Sequence, residues 1–429
     1  MNGCIDMAKL KMWPGKLVGK VAIPTSKSHT IRALIFALMA KGKSKIVNPL
    51  PSADTVHAVQ AIRHLGAVIE TEQNALIVEG VAGKLQPAED VIHCGNSGQV
   101  LRFIGALCAL CENYTVLTGD LSIRHNRPVL PLLSSLTELG VWAVSSRGDG
   151  FAPIIIRGPV KGGKATLDGR DSQPVSGLLM LGAFTPFSFS VINPGEKPWI
   201  RLTLDWLDRL KIPYEMDNFE HYTMKGGARI EPFEYTVPGD FSSAAFPIAA
   251  ALITNTALAI EGLNCNDVQG DKAILPTLES MGAKFEREGT TLHIKAGGPL
   301  RGVRLDVDDF IDALPILAVI GCFASGQTEI VNGKIAREKE SDRIFAIANE
   351  LKKMGAHIEE KPDGLIVHSS KLKGAELDAH CDHRIAMALS VAALGAQGES
   401  VIHGVECVDK SYPNFFEHLA KLGAKMELM

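Results

Sequence analysis

One short signature recurs along this chain and limits what it can fold into. The pattern apolar–Gly–Ala–x–apolar–Glu closes helix-like stretches as HLGAVIE at 64–70, SMGAKFE at 280–286, KMGAHIE at 354–360 and KLGAKME at 421–427. ELGVWAV at 138–144 is a looser copy, and RLKIPYE at 209–215 holds the remaining place without its glycine. The pivots Gly66, Gly140, Lys211, Gly282, Gly355 and Gly423 are 74, 71, 71, 73 and 68 residues apart. Units of that length are too long for solenoid repeats and too short for ordinary domains. At each pivot a helix ends, a left-handed residue turns the chain, and a strand begins. Strand-like segments follow, such as NALIVEG at 74–80, APIIIRG at 152–158, TLHIKAG at 291–297 and GLIVHSS at 364–370. Three mixed α/β units on either side of Pro238 predict two similar domains. The segment KLKMWPGKL, which begins at Lys9, is strand-like and precedes the first unit. Its pairing with the C-terminal half predicts a discontinuous domain, 1–22 plus 239–429, with 23–238 inserted.

Composition removes several classes of function. The chain has 429 residues and a net charge of −4 from 44 basic and 48 acidic side chains, which excludes a globally basic nucleic-acid binder. Its longest apolar run, Ala313 to Ala324, has 12 residues and contains Pro315 and Gly321. A membrane span needs about 18 or more. The start, MNGCIDMAKLK, carries Asp6 and no apolar core, so no secretory signal is expected, and the cysteine usage reads as a reducing cytoplasm. Eight cysteines in a chain this long do not read as a disulfide framework. Cys108 and Cys111 lie in the apolar run LRFIGALCALC and read as small buried helix residues. No second C-x-x-C completes a zinc site, and no metal is expected.

The polar chemistry gathers at helix starts, where free backbone N–H groups and the helix dipole favour anions. PTSKSHTIR at 24–32 places Lys27 and Ser28 ahead of Ile31, Leu34, Ile35, Leu38 and Met39, the stripe of an amphipathic helix. GNSGQVLR at 95–102 is a small turn entering an apolar helix, where backbone can approach an anion closely. Arg127 precedes Pro128, Ser172 and Gln173 precede Pro174, and Asp240, Ser242 and Ser243 precede another apolar helix. The segment 336–356 reads as a helix with Lys339, Glu340 and Arg343 in one sector of its first turns. In HCDHRIAM at 380–387, Asp382 reads as a cap, with His383 and Arg384 facing a ligand. Taken singly, each of these is an ordinary cap or a solvated charge run. Taken together, Lys27, Arg32, Arg102, Arg127, Arg337, Lys339, Arg343, Arg384 and Lys410 put nine cations at helix starts in an otherwise acidic protein. That points to small polyanionic ligands.

The ordered set SKSHTIRA, GNSGQVLR, HNRP, DSQ, PGDFSSA, FIDALP, REKESDR, CDHRIAMAL and DKSYPNFFEHL, from about residue 13 to 422, resembles the 5-enolpyruvylshikimate-3-phosphate synthase family. The resemblance implies an α/β fold of two domains. Each has three βαβαββ units around a pseudo-threefold axis, an inside-out barrel, with the active site in the interdomain cleft. It implies transfer of the carboxyvinyl group of phosphoenolpyruvate to the 5-hydroxyl of shikimate 3-phosphate, with release of phosphate. No cofactor, nucleic acid or membrane is implied, and a monomer is expected. By position, Lys27, Ser28, Arg32, Ser172, Gln173, Ser243, Asp312 and Lys339 would bind shikimate 3-phosphate. Lys27, Asn96, Gly98, Arg127, Gln173, Arg343, Arg384 and Lys410 would bind phosphoenolpyruvate. Asp312 would be the general base and Glu340 would protonate the methylene carbon, assisted by Lys27 or Lys410. Neighbouring cations would lower the carboxyl pKa values and burial would raise them. Sensitivity to glyphosate is implied.

Some positions depart from the family pattern. Gln99 stands where threonine is usual. Asp171 replaces a serine and is expected to point away from a phosphate. Glu196-Lys197-Pro198-Trp199 stands for Ser-Lys-Pro-Tyr. Asn332 is a candidate for an asparagine usually found nearer the KESDR motif, where Ile335 stands. UDP-N-acetylglucosamine enolpyruvyl transferase shares the fold and donor, but would carry Lys-Asn where this chain has Lys27-Ser28, and a reactive loop cysteine. RNA-phosphate cyclase would need a nucleotide-reactive histidine. A non-catalytic anion sensor on the same scaffold would need cations but no acid/base pair such as Asp312 and Glu340.

Overall fold

A computed structural model describes residues 8–429. Cys4 and the reading of the chain start as lacking a secretory signal lie outside the described residues. The chain divides into two compact units: one runs to Pro24 and resumes at Pro238–Met429, and the other is Thr25–Val237.

The inserted unit carries helices α1 (Lys27–Met39), α2 (Ala53–His64), α3 (Gly98–Cys108), α4 (Leu121–His125), α5 (Leu130–Glu138), α6 (Ser172–Gly182) and α7 (Lys197–Arg209). The discontinuous unit carries α8 (Phe241–Ile253), α9 (Ile274–Ser280), α10 (Leu314–Phe323), α11 (Arg343–Lys353), α12 (His383–Gly395) and α13 (Phe415–Lys421). Each unit has three four-stranded sheets of one design. In the second of the inserted unit, Ile92–His93 runs parallel to Thr115–Thr118, which pairs antiparallel with Ile154–Arg157, and that strand pairs with Trp142–Ser145. With its two main helices this is a βαβαββ unit.

Both sets of three are completed by strands from elsewhere in the sequence. Glu234–Thr236, at the end of the inserted unit, pairs parallel with Lys43–Val47 and supplies the missing first strand of that unit's first sheet. Lys9–Met12 pairs with Ser400–His403 and Met426–Leu428, completing the last sheet of the discontinuous unit. Gly19–Ala22 pairs parallel with Leu258–Glu261 and opens that unit's first sheet.

All six pivots adopt positive φ, from Lys211 at 55° to Gly282 at 106°. Each ends a helix (α2, α5, α7, α9, α11 or α13) and a strand starts two or three residues later. Glycine has no steric cost there; Lys211 adopts the same backbone without that freedom.

Apart from the short α4, the remaining six helices have a different character. In the inserted unit α3 packs on α1 and α6, and in the discontinuous unit α8, α10 and α12 pack on one another. They are buried on nearly every side, including polar residues such as His29, Thr30 and Arg32 in α1. The stripe expected for α1 therefore understates its burial, because its other faces also meet protein. Helices apolar all round belong at a centre, and amphipathic ones cover it.

Cys108 ends α3 and Cys111 lies just beyond it; both are buried free thiols, Cys111 pushed up to about 11 by burial. Among the described residues, no helix is long and apolar enough to cross a membrane.

One buried carboxylate serves the scaffold. Glu350 in α11 is fully buried and accepts from His380 Nε2 (2.9 Å), Lys353 Nζ (2.8 Å), Asn349 Nδ2 (2.9 Å) and the Asp378 amide (3.0 Å). Burial alone would raise its pKa, but these four bonds outweigh it and hold the carboxyl at about 2; Glu350 in turn raises His380. A depressed carboxyl pKa gives stability present above the unfolded value and lost as pH falls through the folded one. A raised histidine gives stability present at low pH and lost as pH rises through its folded pKa. Glu350→Gln should therefore lower the unfolding free energy by about 3 kcal/mol near pH 6. The deficit should shrink as pH falls from about 4.5 towards 2. Denaturant titrations of both proteins from pH 2 to 8 measure it; a pH-independent difference would exclude the charge network as its cause.

Candidate functional site

In the inserted unit the first turns of the three central helices touch. Ser26, Ser97 and Asp171 cap α1, α3 and α6, each accepting a backbone N–H of its own first turn. These caps bring Lys27 and Ser28, Gly98 and Gln99, and Ser172 and Gln173 to the starts of neighbouring helices. Gln99 Nε2 donates to Ser28 Oγ at 3.0 Å, and Arg102 Nη1 donates to Gln173 Oε1 at 3.0 Å; each pair is 71 residues apart, one repeat. Gly98 lies beneath this layer. A Cβ placed on it would stand 2.6 Å from Arg127 Nη2, 2.7 Å from Arg102 Nη1 and 2.9 Å from Gln173 Oε1. Half-buried Asn96 belongs to the turn just before it. Gly98 is the first helical residue and has no positive φ; the left-handed glycine of this turn is Gly95, at 58°.

Lys27 is mostly buried and pairs with Asp54 at 3.2 Å. Arg32 is buried and donates to Thr203 Oγ1 (2.9 Å), the Ser28 carbonyl (3.1 Å) and the Trp199 carbonyl (3.1 Å), with its guanidinium over the Phe103 ring. Burial lowers its pKa to about 9. Asp171 turns to Arg102 Nη2 at 3.1 Å and to the Gln173 amide, so it is held by a cation and a cap bond. Glu196 is buried, and its Oε2 accepts from both the amide and the hydroxyl of Ser172, each at 3.0 Å.

The discontinuous unit holds the second cluster. Arg343, the first residue of α11, is fully buried and meets three carboxylates: Asp312 Oδ1 at 2.7 Å, Glu340 Oε2 at 2.8 Å and Asp382 Oδ2 at 2.8 Å. Asp382 also caps α12. Arg384, one residue into α12, donates to the Ser242 carbonyl (2.8 Å), approaches Asp312 Oδ2 (3.4 Å), and lies over Phe246. Lys410 Nζ donates to Glu340 Oε1 at 2.5 Å across 70 residues. Lys339 is buried close by and adds to the field at Asp312. Ser243 is fully buried with its amide on Asp240; the part of this turn that meets a candidate cation is the Ser242 carbonyl.

The balance at Asp312 is resolved by its neighbours. Burial would raise its pKa, but Arg384, Arg343 and Lys339 together hold it below the usual carboxylate range. At Arg343 burial opposes the charge, and Asp382, Glu340 and Asp312 outweigh it, raising the pKa. Asp312 is a carboxylate a quarter exposed, with Arg343 on Oδ1 and Arg384 nearer Oδ2. It can accept a proton from a hydroxyl placed against it.

Two expectations need correction, and the structure also places Asn332. Lys339 and Glu340 precede the helix rather than lying in its first turns, because α11 starts only at Arg343 with Asp342 as its cap. Arg337 sits in a 3₁₀ turn and is spent on Asp342, Glu360 and the carbonyls of Lys361 and Pro362, which ties down an edge of the unit. Asn332 takes a left-handed turn and bonds Asp306 at the surface. Sequence reasoning also passed over two polar contacts, Gln99 on Ser28 and Glu196 on Ser172. Their signal was the departure from the family pattern. Among the described residues, no group of three or more His, Cys, Asp or Glu could hold a metal ion.

Two clusters of buried cations at helix starts, with carboxylates set among them, on paired three-unit α/β bodies, define an enolpyruvyl-transferase type of protein. The profile of the family "EPSP synthase (3-phosphoshikimate 1-carboxyvinyltransferase)" matches residues 12–419, and the chain belongs to that family. A 3-phosphoshikimate 1-carboxyvinyltransferase of Acetivibrio thermocellus is 45% identical over 417 residues, covering 97% of this chain and 98% of that one. One from Methanocaldococcus jannaschii is 43% identical over 422 residues, covering 96% and 97%. The solved EPSP synthase of Acinetobacter baumannii superposes with a TM-score of 0.83 at 28% identity, covering 98% of this chain and all of that one.

Proposed function

We propose that this chain transfers the carboxyvinyl group of phosphoenolpyruvate to the 5-hydroxyl of shikimate 3-phosphate and releases inorganic phosphate. The observation that carries the reading is the Arg343, Arg384 and Lys410 cluster with Asp312 and Glu340 set inside it. A sensor of anions gains nothing from carboxylates among its cations, whereas an addition to an enol phosphate needs both charge neutralisation and proton transfer.

In this reading phosphoenolpyruvate is held by Arg343, Arg384 and Lys410 together with Lys27, Asn96, Gly98, Arg127 and Gln173. Shikimate 3-phosphate is held by Lys27, Ser28, Arg32, Ser172, Gln173, Ser243, Asp312 and Lys339. Asp312 takes the proton of the 5-hydroxyl as its oxygen bonds to C2 of the donor. Glu340, fed by Lys410, delivers a proton to the methylene carbon. The enol ether is regained when that carbon returns a proton and the C2–O bond to phosphate breaks. Both clusters lie on one chain, so a monomer suffices, and no step calls for a metal or an organic cofactor. A cytoplasmic location completes the reading.

The test is phosphate release from phosphoenolpyruvate with either of two acceptors. Turnover is expected with shikimate 3-phosphate and not with UDP-N-acetylglucosamine; the reverse preference would overturn the proposal. Within the donor site, Arg384→Lys keeps the charge but loses the planar fork. The donor KM should rise by the equivalent of roughly 1.5–3 kcal/mol per charge-assisted bond lost. An unchanged donor KM would remove Arg384 from the donor site.

A further inference from the structure

Ser172 has two donors, its amide and its hydroxyl, and one carboxylate oxygen of the protein takes both. Glu196 Oε2 lies 3.0 Å from each, and the two side chains are buried together. Glu196 precedes α7 with a left-handed backbone, φ 46° and ψ 39°, and its side chain makes no capping bond to its own helix. It reaches back 24 residues instead. The loop is held in that place: Gly195 donates to the Gly169 carbonyl at 3.0 Å, and a Cβ on Gly195 would stand 2.8 Å from the Arg170 carbonyl. The neighbouring acid, Asp171, is committed to Arg102. At Ser172, then, the protein supplies an anion of its own.

We infer that Glu196 is a specificity-determining residue for the acceptor. Its carboxylate stands in for an anionic group at Ser172, so a phosphate or carboxylate of the acceptor reaches Ser172 only by displacing Glu196. The inference rests on the proposed reading in which Ser172 contacts shikimate 3-phosphate. It makes Glu196 an internal competitor that weakens anionic acceptors and leaves Ser172 better matched to a neutral hydroxyl than to a charged group.

Two measurements on the full chain test it. In steady-state kinetics, Glu196→Gln and Glu196→Asn should each lower the KM for shikimate 3-phosphate by at least about fivefold, the scale of one charge–charge repulsion at ~4 Å even in water. The change in kcat should be smaller than that in KM. The asparagine variant accommodates the left-handed backbone and is a methylene shorter, which guards against a glutamine that merely misfolds. In calorimetric titration with inorganic phosphate, both variants should bind more tightly than the parent, and adding Ser172→Ala should cancel the gain. A fall in melting temperature with acceptor KM and phosphate affinity unchanged or weakened would make Glu196 a scaffold residue and overturn the inference. If the parent does not turn over shikimate 3-phosphate, the functional reading fails, while the phosphate titration still decides the competition at Ser172.

Discussion

Asp312→Asn should lower kcat about 10²–10⁴-fold, the usual contribution of a positioned general base. The substitution keeps the shape and one acceptor oxygen, which can stay on Arg343 while the amide NH2 replaces the oxygen that faced Arg384, and the amide cannot take a proton. Arg343 retains Glu340 and Asp382, so its charge stays paired and the fold should survive. The donor KM should move far less than kcat, because the guanidinium groups that would hold phosphoenolpyruvate remain. Since Arg384, Arg343 and Lys339 hold the Asp312 carboxyl below its usual range, the parent should keep this base ionised throughout the ordinary assay range. An Asp312→Asn enzyme within threefold of the parent in kcat, at matched melting temperature, would remove Asp312 from the chemistry.

Gly98→Ala should have the next largest effect, and its cause is steric. The added methyl would fall within 3 Å of Arg127, Arg102 and Gln173 side-chain atoms. Arg102 cannot move freely, since it also holds the Pro128 carbonyl and Asp171. Arg127 and Gln173 must therefore shift, and both belong to the proposed donor site. One methyl in a tight pocket is worth about 1–3 kcal/mol, or 10–200-fold, in the donor KM. Alanine suits the first turn of a helix better than glycine, so backbone conformation gives no reason for instability. Glyphosate, read as a competitor of the donor, should lose more affinity than phosphoenolpyruvate does. Melting curves with both constants decide between the explanations. A large drop in stability with an unchanged ratio of inhibitor constant to donor KM would make the clash with Arg127, Arg102 and Gln173 one of packing alone and remove Gly98 from the donor site.

Much of the architecture was legible because its signals are local. A pivot needs a left-handed residue immediately after a helix, and five of the six are glycine. Lys211 was found only by its place in the series, which held because repeat length survives the loss of a single residue type. Helix starts were legible for the same reason, since a cap bonds to an amide two or three residues on, as Asp171, Asp240 and Asp382 do. The limits of α11 were misread because a run of alternating charges looks alike in a 3₁₀ turn and in an α-helix.

Spacing along the chain does not report which elements become neighbours, and there the sequence alone stops. Arg337 and Arg343 are six residues apart in one charged segment, yet one ties down an exposed edge and the other is enclosed by three carboxylates. Likewise Glu196 on Ser172 and Gln99 on Ser28 depend on contacts between elements: departure from the family pattern marked Gln99 and Glu196, but not what each would touch. By itself the sequence determined the six-unit plan, the left-handed pivots and the capped helix starts that gather the cations, because each is set by backbone preferences within a few residues. The tertiary structure alone decided which helices are central, which carboxylate neutralises which cation, and so the protonation state of Asp312. Those outcomes depend on burial and on charges such as Arg343 and Arg384, 31 and 72 residues from Asp312, brought within hydrogen-bonding distance only when the repeats pack.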